Sequence, residues 1–417
     1  MARESATLEF KRDISKTFPK TVSAFANYGT GRIVFGVDDD GGPVGHADPR
    51  ATCLSVENAI NDSLSPVPDY ALEVDEERGT VTLTVREGRE KPYLAGGKAY
   101  RRADSSTVEV SRTEYNRLCL AGLNLSFDSL ESADQGLSFA RLEGELVQKA
   151  GLQALDRNAL VSLELMGPDG AYNNAAALLA DVNGFPGTDM ARFGDSISII
   201  LSRRAVEGVS LLEQMDRALE MFDEHYSYEE VAGFERVERS LVPRNAFREA
   251  LANALVHRRW DLAARVRVAM FPDRIEVTSP GGLPDGVTEE EYVSGGLSIS
   301  RNPILANVFY RLGYVERFGT GIPRIVDEYA GLLCEPGFLV RGSSVTVVLP
   351  VEGAVSVDAA ERRVLSSLPK GVELPRADIE AASGLKRDKT VKVLNSLMEK
   401  GLVARVGSGR STRYTRS

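Results

Sequence analysis

The first forty residues place acidic side chains around one short apolar strand, and this arrangement constrains the fold of the chain most strongly. Glu4 and Glu9 precede the predicted strand at residues 32–37, which is apolar after Arg32. Lys11 follows Glu9 closely, and Asp39 lies in the acidic, glycine-rich turn after the strand. A buried strand that ends in such a turn is typical of a mixed α and β domain. Grouped carboxylates suit Mg²⁺ or Mn²⁺, which prefer oxygen ligands. The pattern therefore predicts a site that holds a hard cation against a phosphate.

These residues and several later motifs resemble the Schlafen AlbA-type domain. The family pattern runs through Glu, Leu-Glu-Phe-Lys, Ala-Phe-Ala-Asn, Gly-Val-Asp-Asp, Pro-Tyr, Tyr-Arg and Ser-Ser-Thr. In this chain the motifs fall, in the same order, at Glu4 and at residues 8–11, 24–27, 36–39, 92–93, 100–101 and 105–107. Thr30-Gly31 stands where the family usually has two glycines. The resemblance implies an α/β nucleic-acid-binding domain over residues 1–117.

The resemblance implies two different functions for this domain. Many bacterial proteins of this architecture are regarded as DNA-binding regulators, and Lys11, Arg101 and Arg102 would then face phosphates. In some Schlafen proteins the matching acids form a metal-dependent ribonuclease site, and Glu4, Glu9 and Asp39 would then be both the metal ligands and the catalytic residues. A site of this kind activates water against a phosphodiester. Both alternatives remain open at the level of sequence.

Bulk composition indicates an ordinary protein of several domains. A chain of 417 residues predicts two to four domains, and its apolar fraction of 43% is sufficient for sizeable cores. Its three cysteines are far apart and form no CxxC, which is the usual pattern in a reducing compartment. Neither a signal peptide nor a long apolar run is apparent, so we expect a cytoplasmic protein without a membrane partner.

Residues 118–240 predict a connecting α/β region without recognisable chemistry. Helical spacing occurs at residues 139–150, 158–165 and 175–179, and a strand is expected at residues 196–201. Residues 210–225 form a clear amphipathic helix pattern.

Residues 241–350 carry a second set of polar and glycine motifs. Glu249 and Asn253 lie four apart in a predicted helix over residues 243–259, so both project from one helical face. Two predicted strands follow at residues 265–271 and 274–279. Glycine pairs come afterwards, where backbone amides without a Cβ in the way can approach a phosphate: Gly281, Gly282, Gly319 and Gly321.

This region resembles the ATP-binding domain that often follows a Schlafen AlbA-type domain and is distantly related to gyrase, Hsp90 and histidine kinases. The resemblance implies an α/β sandwich in which Glu249 orients water and Asn253 ligates Mg²⁺ beside ATP. It also implies that the glycines form the nucleotide lid and phosphate loops. The adenine-reading Asp of the family has no counterpart, because residues 279–282 read Ser-Pro-Gly-Gly. We therefore expect weak or absent nucleotide binding, with hydrolysis slower still.

The last 62 residues are basic, although the whole chain has a net charge of −10. They contain 13 Lys and Arg against 7 Asp and Glu. Three helical patterns and a glycine-tipped hairpin over residues 356–417 predict a winged helix-turn-helix. The predicted nucleic-acid contacts lie on the third helix and in the wing: Lys386, Arg387, Lys389, Lys392, Arg410 and Arg413. Such a charge asymmetry indicates a phosphate-facing surface, whereas a merely solvated face is the simpler alternative.

The sequence thus predicts an α+β multidomain protein with domains at residues 1–117, 118–240, 241–350 and 356–417. We expect a homodimeric DNA-binding transcriptional regulator with a nucleotide-responsive middle domain. The alternative is a metal-dependent endoribonuclease that uses the acidic trio and takes RNA as its partner. Mg²⁺ or Mn²⁺ and ATP are the cofactors that these two readings require. No Walker A sequence is present, which excludes a P-loop helicase.

Overall fold

The computed structural model describes residues 3–232, 235–284, 287–295, 299–316, 319–332, 334–352, 358–369, 371–407, 409 and 412–416. The chain forms two compact units. The first contains the described residues up to Phe185 together with Val256–Ala263 and Gly281–Gly319, and the second contains the remaining described residues. None of the helices within these ranges is both long and apolar enough to cross a membrane.

The N-terminal part of the first unit is a four-stranded sheet covered by helices. The strands of this region are β1 (Leu8–Lys11), β2 (Gly31–Phe35), β3 (Leu64–Ser65), β4 (Tyr70–Asp75), β5 (Thr80–Val85), β6 (Leu94–Ala95), β7 (Tyr100–Ala103) and β8 (Ser106–Glu109). Its helices are α1 (Phe18–Tyr28), α2 (Pro49–Ser63) and α3 (Arg112–Gly122). The main sheet has the order β1-β2-β5-β4, and β1 is parallel to β2 with α1 as the crossover. Strands β3 with β6, and β7 with β8, form two small antiparallel ribbons.

Helix α1 forms because its apolar residues recur at helical spacing. Phe18, Val22 and Phe25 share one face and are buried in one core with Ile33 and Leu83 of the sheet. The chain then turns tightly into β2 at Gly31. A Cβ at this glycine would lie 2.3 Å from the Phe25 ring, so only glycine fits there.

The rest of the first unit is mostly helical. It contains a short 3₁₀ helix (Phe127–Ser129), α4 (Ala140–Ala150), α5 (Arg157–Ser162) and α6 (Asn174–Leu179). Farther along the chain, α9 (Glu289–Ser294) and α10 (Pro303–Arg311) return to this unit. Asp128 connects the two segments, because its Oδ2 accepts hydrogen bonds from the backbone N–H groups of Ile304 (2.9 Å) and Leu305 (3.0 Å) at the start of α10. A carboxylate from a distant segment therefore caps this helix.

The second unit is built on a six-stranded sheet of order β10-β9-β13-β14-β16-β15. Its elements are β9 (Thr188–Phe193), β10 (Ile200–Val206), α7 (Leu211–Tyr226), β11 (Ser227–Ala232), β12 (Glu235–Ser240), α8 (Arg244–His257), β13 (Val266–Met270), β14 (Arg274–Pro280), α11 (Gly321–Glu328), β15 (Gly337–Arg341) and β16 (Ser344–Pro350). Within this sheet β9 and β13 pair in parallel, and the other described strand pairs are antiparallel. The strand expected at residues 196–201 is displaced, because Gly194 and Ile199 close a turn and β10 begins at Ile200.

The C-terminal segment of this unit has its own small core. It consists of α12 (Ala359–Ser366), β17 (Glu373–Pro375), α13 (Arg376–Ser383), α14 (Arg387–Glu399), β18 (Val403–Val406) and β19 (Arg413–Arg416). The three strands form an antiparallel sheet of order β17-β19-β18. Gly384, at a φ of 64°, ends α13 in the left-handed conformation that glycine favours, and this allows α14 to start after a short turn. Val364, Ile379 and Leu394 are among the buried core residues.

Candidate functional sites

Glu9 lies in a buried ion-pair network with Lys11 and Arg102. Its Oε1 is 2.8 Å from Lys11 Nζ, and its Oε2 accepts hydrogen bonds from Thr21 Oγ1 (2.9 Å) and from Arg102 Nη1. The Glu9 and Arg102 side chains are only 7% and 6% exposed. Two cations therefore neutralise this carboxylate inside the domain, which is the arrangement that a buried charge requires.

The predicted acidic trio does not assemble into a metal site. Glu4 Oε1 accepts a hydrogen bond from the backbone N–H of Phe10 (2.9 Å), Glu9 is held by its two cations, and Asp39 is exposed in the turn after β2. Within the ranges that the structure describes, no group of three His, Cys, Asp or Glu residues is arranged to hold a metal ion. The residues present thus do not fit a divalent cation, and the physical reason is that Glu9 already has compensating positive charge.

The predicted phosphate contacts of this domain also need correction. Arg102 was expected on the surface, but Nη1 donates to Glu9 and to Thr107 Oγ1 (2.9 Å), and Nη2 donates to the carbonyl oxygens of Ser5 (3.0 Å) and Ser105 (2.8 Å). Lys11 is paired with Glu9. Among these three predicted contacts, Arg101 is the most exposed, at 41%, and its Nε lies 3.1 Å from a Glu114 oxygen. Arg102 therefore stabilises the fold.

Two other family motifs meet in the interior. Asn27 is fully buried, and its side-chain amide binds the backbone of Tyr93 on both sides: Nδ2 donates to the carbonyl oxygen (2.8 Å) and Oδ1 accepts from the N–H (2.8 Å). Ser23 Oγ donates to the same carbonyl (2.7 Å). The Ala-Phe-Ala-Asn and Pro-Tyr motifs thus hold helix α1 against the segment that directly precedes β6.

In the second unit, Glu249 and Asn253 lie side by side on α8 as their spacing predicts. Asn253 Nδ2 donates to Glu249 Oε1 (3.1 Å), and Glu249 is 4% exposed. The start of α11 packs directly on this pair, because a Cβ at Gly321 would lie 2.5 Å from Glu249 Oε1 and 2.8 Å from Asn253 Nδ2. Gly321 is therefore the residue of the predicted phosphate loops that contacts the pair, and a larger residue there would displace the Glu249 and Asn253 side chains.

The other predicted glycines belong to the first unit. Gly281 has a φ of 102°, and a Cβ there would lie 2.6 Å from Arg259 Cγ. Arg301 Nη2 donates to the Gly282 carbonyl oxygen (3.1 Å), and its Nη1 donates to that of His257 (2.9 Å). Burial, assisted by the positive charge of Arg301, lowers the pKa of His257 to about 4. His257 is consequently neutral at physiological pH. Gly319 also has a positive φ, 66°.

A polar cleft lies between α8 and α11 in the second unit, and we refer to it as the α8–α11 cleft. Its volume is about 470 Å³, and its lining residues are Asn245, Arg248, Glu249, Arg324, Asp327 and Glu328. Of the nucleotide-site residues expected from the sequence, only Glu249 lines it. Sequence reasoning missed Arg248 and Asp327, because neither belongs to a motif, although Arg248 directly precedes Glu249 in the chain.

The C-terminal segment presents a row of cations along and just before α14. Lys386, Arg387, Lys389 and Lys392 are all exposed, and in the part of the chain that the structure describes none of them has an ion pair or a side-chain hydrogen bond. We call these four residues the α14 cations. Arg413 differs from them, since its Nη1 donates to the Glu373 carbonyl oxygen (3.2 Å). Arg410 lies outside the described residues.

Buried polar contacts fix the orientation of α14. Glu361 on α12 is 3% exposed and accepts hydrogen bonds from Ser396 Oγ (2.7 Å) and from Lys400 Nζ (2.7 and 2.8 Å). Burial alone would raise the pKa of Glu361, but these donors and the Asp358 backbone N–H hold it below its ordinary value. The charged contacts to Glu361 and the apolar core thus leave the α14 cations on the outer face.

Two family models match the chain. Residues 4–111 match the model "Schlafen, AlbA_2". The N-terminal domain is a Schlafen AlbA_2 domain. Residues 263–349 match "Putative ATP-dependent DNA helicase recG C-terminal", a model of a RecG-like ATPase-domain family. Together they confirm the expected combination of a Schlafen AlbA_2 domain with an ATPase-like domain in a mixed α and β chain, which is a nucleic-acid-related architecture.

Two solved structures are similar to parts or all of this chain. The DIP2311 protein of Corynebacterium diphtheriae is 17% identical, with 99% of this chain and 95% of that chain covered and a TM-score of 0.47. The N-terminal domain of a RecG-related protein of Nitrosomonas europaea is 31% identical, with 27% of this chain and 85% of that chain covered and a TM-score of 0.19. No curated protein matches the sequence.

Proposed function

We propose that this Schlafen AlbA_2 protein is a DNA-binding transcriptional regulator that contacts duplex DNA through α14. The observation that carries the proposal is the row of four exposed α14 cations, which have no ion pair or side-chain hydrogen bond among the described residues. Many arginines elsewhere are ion-paired, for example Arg203 with Asp189 and Arg204 with Glu224. A solvated face would tolerate such pairing, whereas a surface that receives phosphates keeps its cations available.

The arrangement of the C-terminal helices supports the same proposal. Helix α13, the turn at Gly384 and helix α14 follow one another as in a helix-turn-helix, and β18 and β19 form a hairpin after them. In that motif the N-terminal residues of the second helix reach the base edges in the major groove. Three of the α14 cations, Lys386, Arg387 and Lys389, lie at this end.

The test is DNA binding by the full chain at several salt concentrations. In a variant with Lys386, Lys389 and Lys392 replaced by Gln, we expect affinity for duplex DNA to fall roughly 100-fold, and the log–log salt slope to shrink by about 2.7, because about 0.9 counterion is released per phosphate contact. The matched control replaces Arg203, Arg204 and Arg217, which are exposed but ion-paired, by Gln. Equal affinities of the wild type and the lysine variant would refute the proposal.

We further propose that the ATPase-like region responds weakly to nucleotide. Its Glu249–Asn253 pair is the expected one, but Gly321 packs directly on it, so a bound phosphate has to displace the start of α11. Ser279 replaces the adenine-reading acid, and its Oγ donates to the Ala254 carbonyl oxygen (2.9 Å). Both features weaken binding.

We therefore expect Mg-ATP to bind with a dissociation constant of about 1 mM, equivalent to about −4 kcal/mol. Calorimetric titration of the wild type and of Asn253→Ala measures this, and the substitution is expected to abolish the signal. A micromolar dissociation constant would contradict the proposal that Gly321, which packs on the Glu249–Asn253 pair, weakens the binding of a phosphate there. Binding that persists in Asn253→Ala would place the nucleotide elsewhere.

A further inference from the structure

The α8–α11 cleft contains a guanidinium group without an acceptor. Arg248 Nε is buried, and in the described ranges the Arg248 side chain has neither a hydrogen bond nor an ion pair. A buried donor that lacks a partner destabilises the folded protein, because its lost hydrogen bond to water is not replaced. The guanidinium fork matches a carboxylate or a phosphate, to which it donates two parallel hydrogen bonds. Arg248 is thus suited to an anionic group that enters the cleft from solvent.

Acidic residues on the α11 side of the cleft limit the kind of ligand that can carry this anionic group. Asp327 and Glu328 lie on α11, and Glu328 Oε1 accepts a hydrogen bond from Asn245 Nδ2 (3.0 Å). The Asp327 carboxylate is exposed and, among the residues described, has no partner. The lining as a whole contains two arginines and three acids. A polyphosphate would meet this excess of negative charge, since like charges at contact distance repel.

We propose that the α8–α11 cleft binds a small zwitterion of the α-amino acid class, with its carboxylate on Arg248 and its ammonium group on Asp327. Arg248 and Asp327, which have no partner within the described ranges, have opposite charge, so a ligand with one anionic and one cationic end satisfies both. The volume of about 470 Å³ lies within the range of about 300–1,000 Å³ typical of small-molecule sites. The cleft shares Glu249 with the expected nucleotide site, but Asn253 and the predicted phosphate-loop glycines do not line it.

The proposal is tested by thermal-shift and calorimetric titration of the full chain. The probes are the twenty common amino acids, each at up to 10 mM, followed by the N-acetylated and C-amidated forms of any that bind. We expect at least one amino acid to raise the melting temperature, and we expect either blocked form to bind at least tenfold more weakly. Arg248→Gln and Asp327→Asn should each weaken binding at least tenfold, whereas Arg341→Gln, an exposed arginine on β15, should leave it unchanged.

Several outcomes would overturn the proposal. These are an absence of binding by all twenty amino acids, equal binding of a blocked form, and undiminished binding by Arg248→Gln. If Arg248→Gln does not fold, Arg248→Lys replaces it, since lysine retains the charge and loses the bidentate fork. The result does not depend on DNA binding or on ATP, because neither is present in the assay.

Discussion

Replacing Arg102 by glutamine is expected to destabilise the Schlafen AlbA_2 domain by about 3 kcal/mol, because it breaks a buried ion pair. The guanidinium holds Glu9, Thr107 and two backbone carbonyl oxygens, and its side chain is 6% exposed. The estimate lies at the lower end of the range for such pairs because Lys11 remains beside Glu9. Calorimetric unfolding of the full chain measures the loss, and hydrogen exchange of the α1 and β1 amides locates it in this domain.

Arg101→Gln is the matched control for this substitution. Arg101 precedes Arg102 in the chain, but its side chain is 41% exposed and its partner is Glu114. An exposed pair of this kind contributes about 0–1 kcal/mol, so the control should unfold close to the wild type. If Arg102→Gln instead kept wild-type stability and lost nucleic-acid affinity, Arg102 would be the phosphate contact that the sequence alone suggests.

Local patterns in the sequence predicted much of the secondary structure. The strand expected at residues 265–271 is β13 (Val266–Met270), and the amphipathic pattern at residues 210–225 is α7, shifted by one residue. These elements obey hydrophobic periodicity because one of their faces is buried. The hairpin β11 (Ser227–Ala232) and β12 (Glu235–Ser240) was missed, because its mostly exposed, charged residues carry no such alternation.

The sequence identified the motif residues of the N-terminal domain but misjudged their roles. Glu9 and Arg102 are separated by 93 residues, so their ion pair depends on how β1 and β7 are placed in the fold. The contact between Asn27 and the Tyr93 backbone is equally non-local. A pattern of acids and arginines in the sequence fits both a catalytic site and a buried network, and the burial of these side chains distinguishes the two.

The same limit applies to the second unit. Helical spacing correctly placed Glu249 beside Asn253, since residues four apart meet on one face. It did not reveal that Gly321 covers the pair, or that Arg248 and Asp327 line one cleft with Glu249. Both facts depend on the packing of α11 against α8, two helices that are separated by more than sixty residues of chain.

The second large effect is expected at Asp128, the carboxylate that caps α10. Asp128→Ala should destabilise the first unit by about 2–4 kcal/mol, because it leaves two buried backbone N–H groups without an acceptor. The side chain is fully buried, so water does not replace it. Asp128→Asn is the matched control, since its amide oxygen can still accept from Ile304 and Leu305. Chemical denaturation of the three proteins measures the difference, and an Ala variant as stable as the Asn variant would contradict the capping role.

The pH dependence of the stability of the wild type and of Asp128→Asn provides an independent check on the role of Asp128. Burial raises the pKa of Asp128 above its ordinary value of 3.8, although hydrogen bonds from Ser126 and from the two backbone N–H groups oppose the shift. The folded chain therefore holds this proton more tightly than the unfolded chain does. The stabilisation of the folded state by protonated Asp128 is fully present below pH 3.8 and is lost as the pH rises through the raised folded-state pKa. Relative to Asp128→Asn, the wild type should thus become less stable as the pH rises through this window, and a constant difference would show that Asp128 keeps its unfolded pKa.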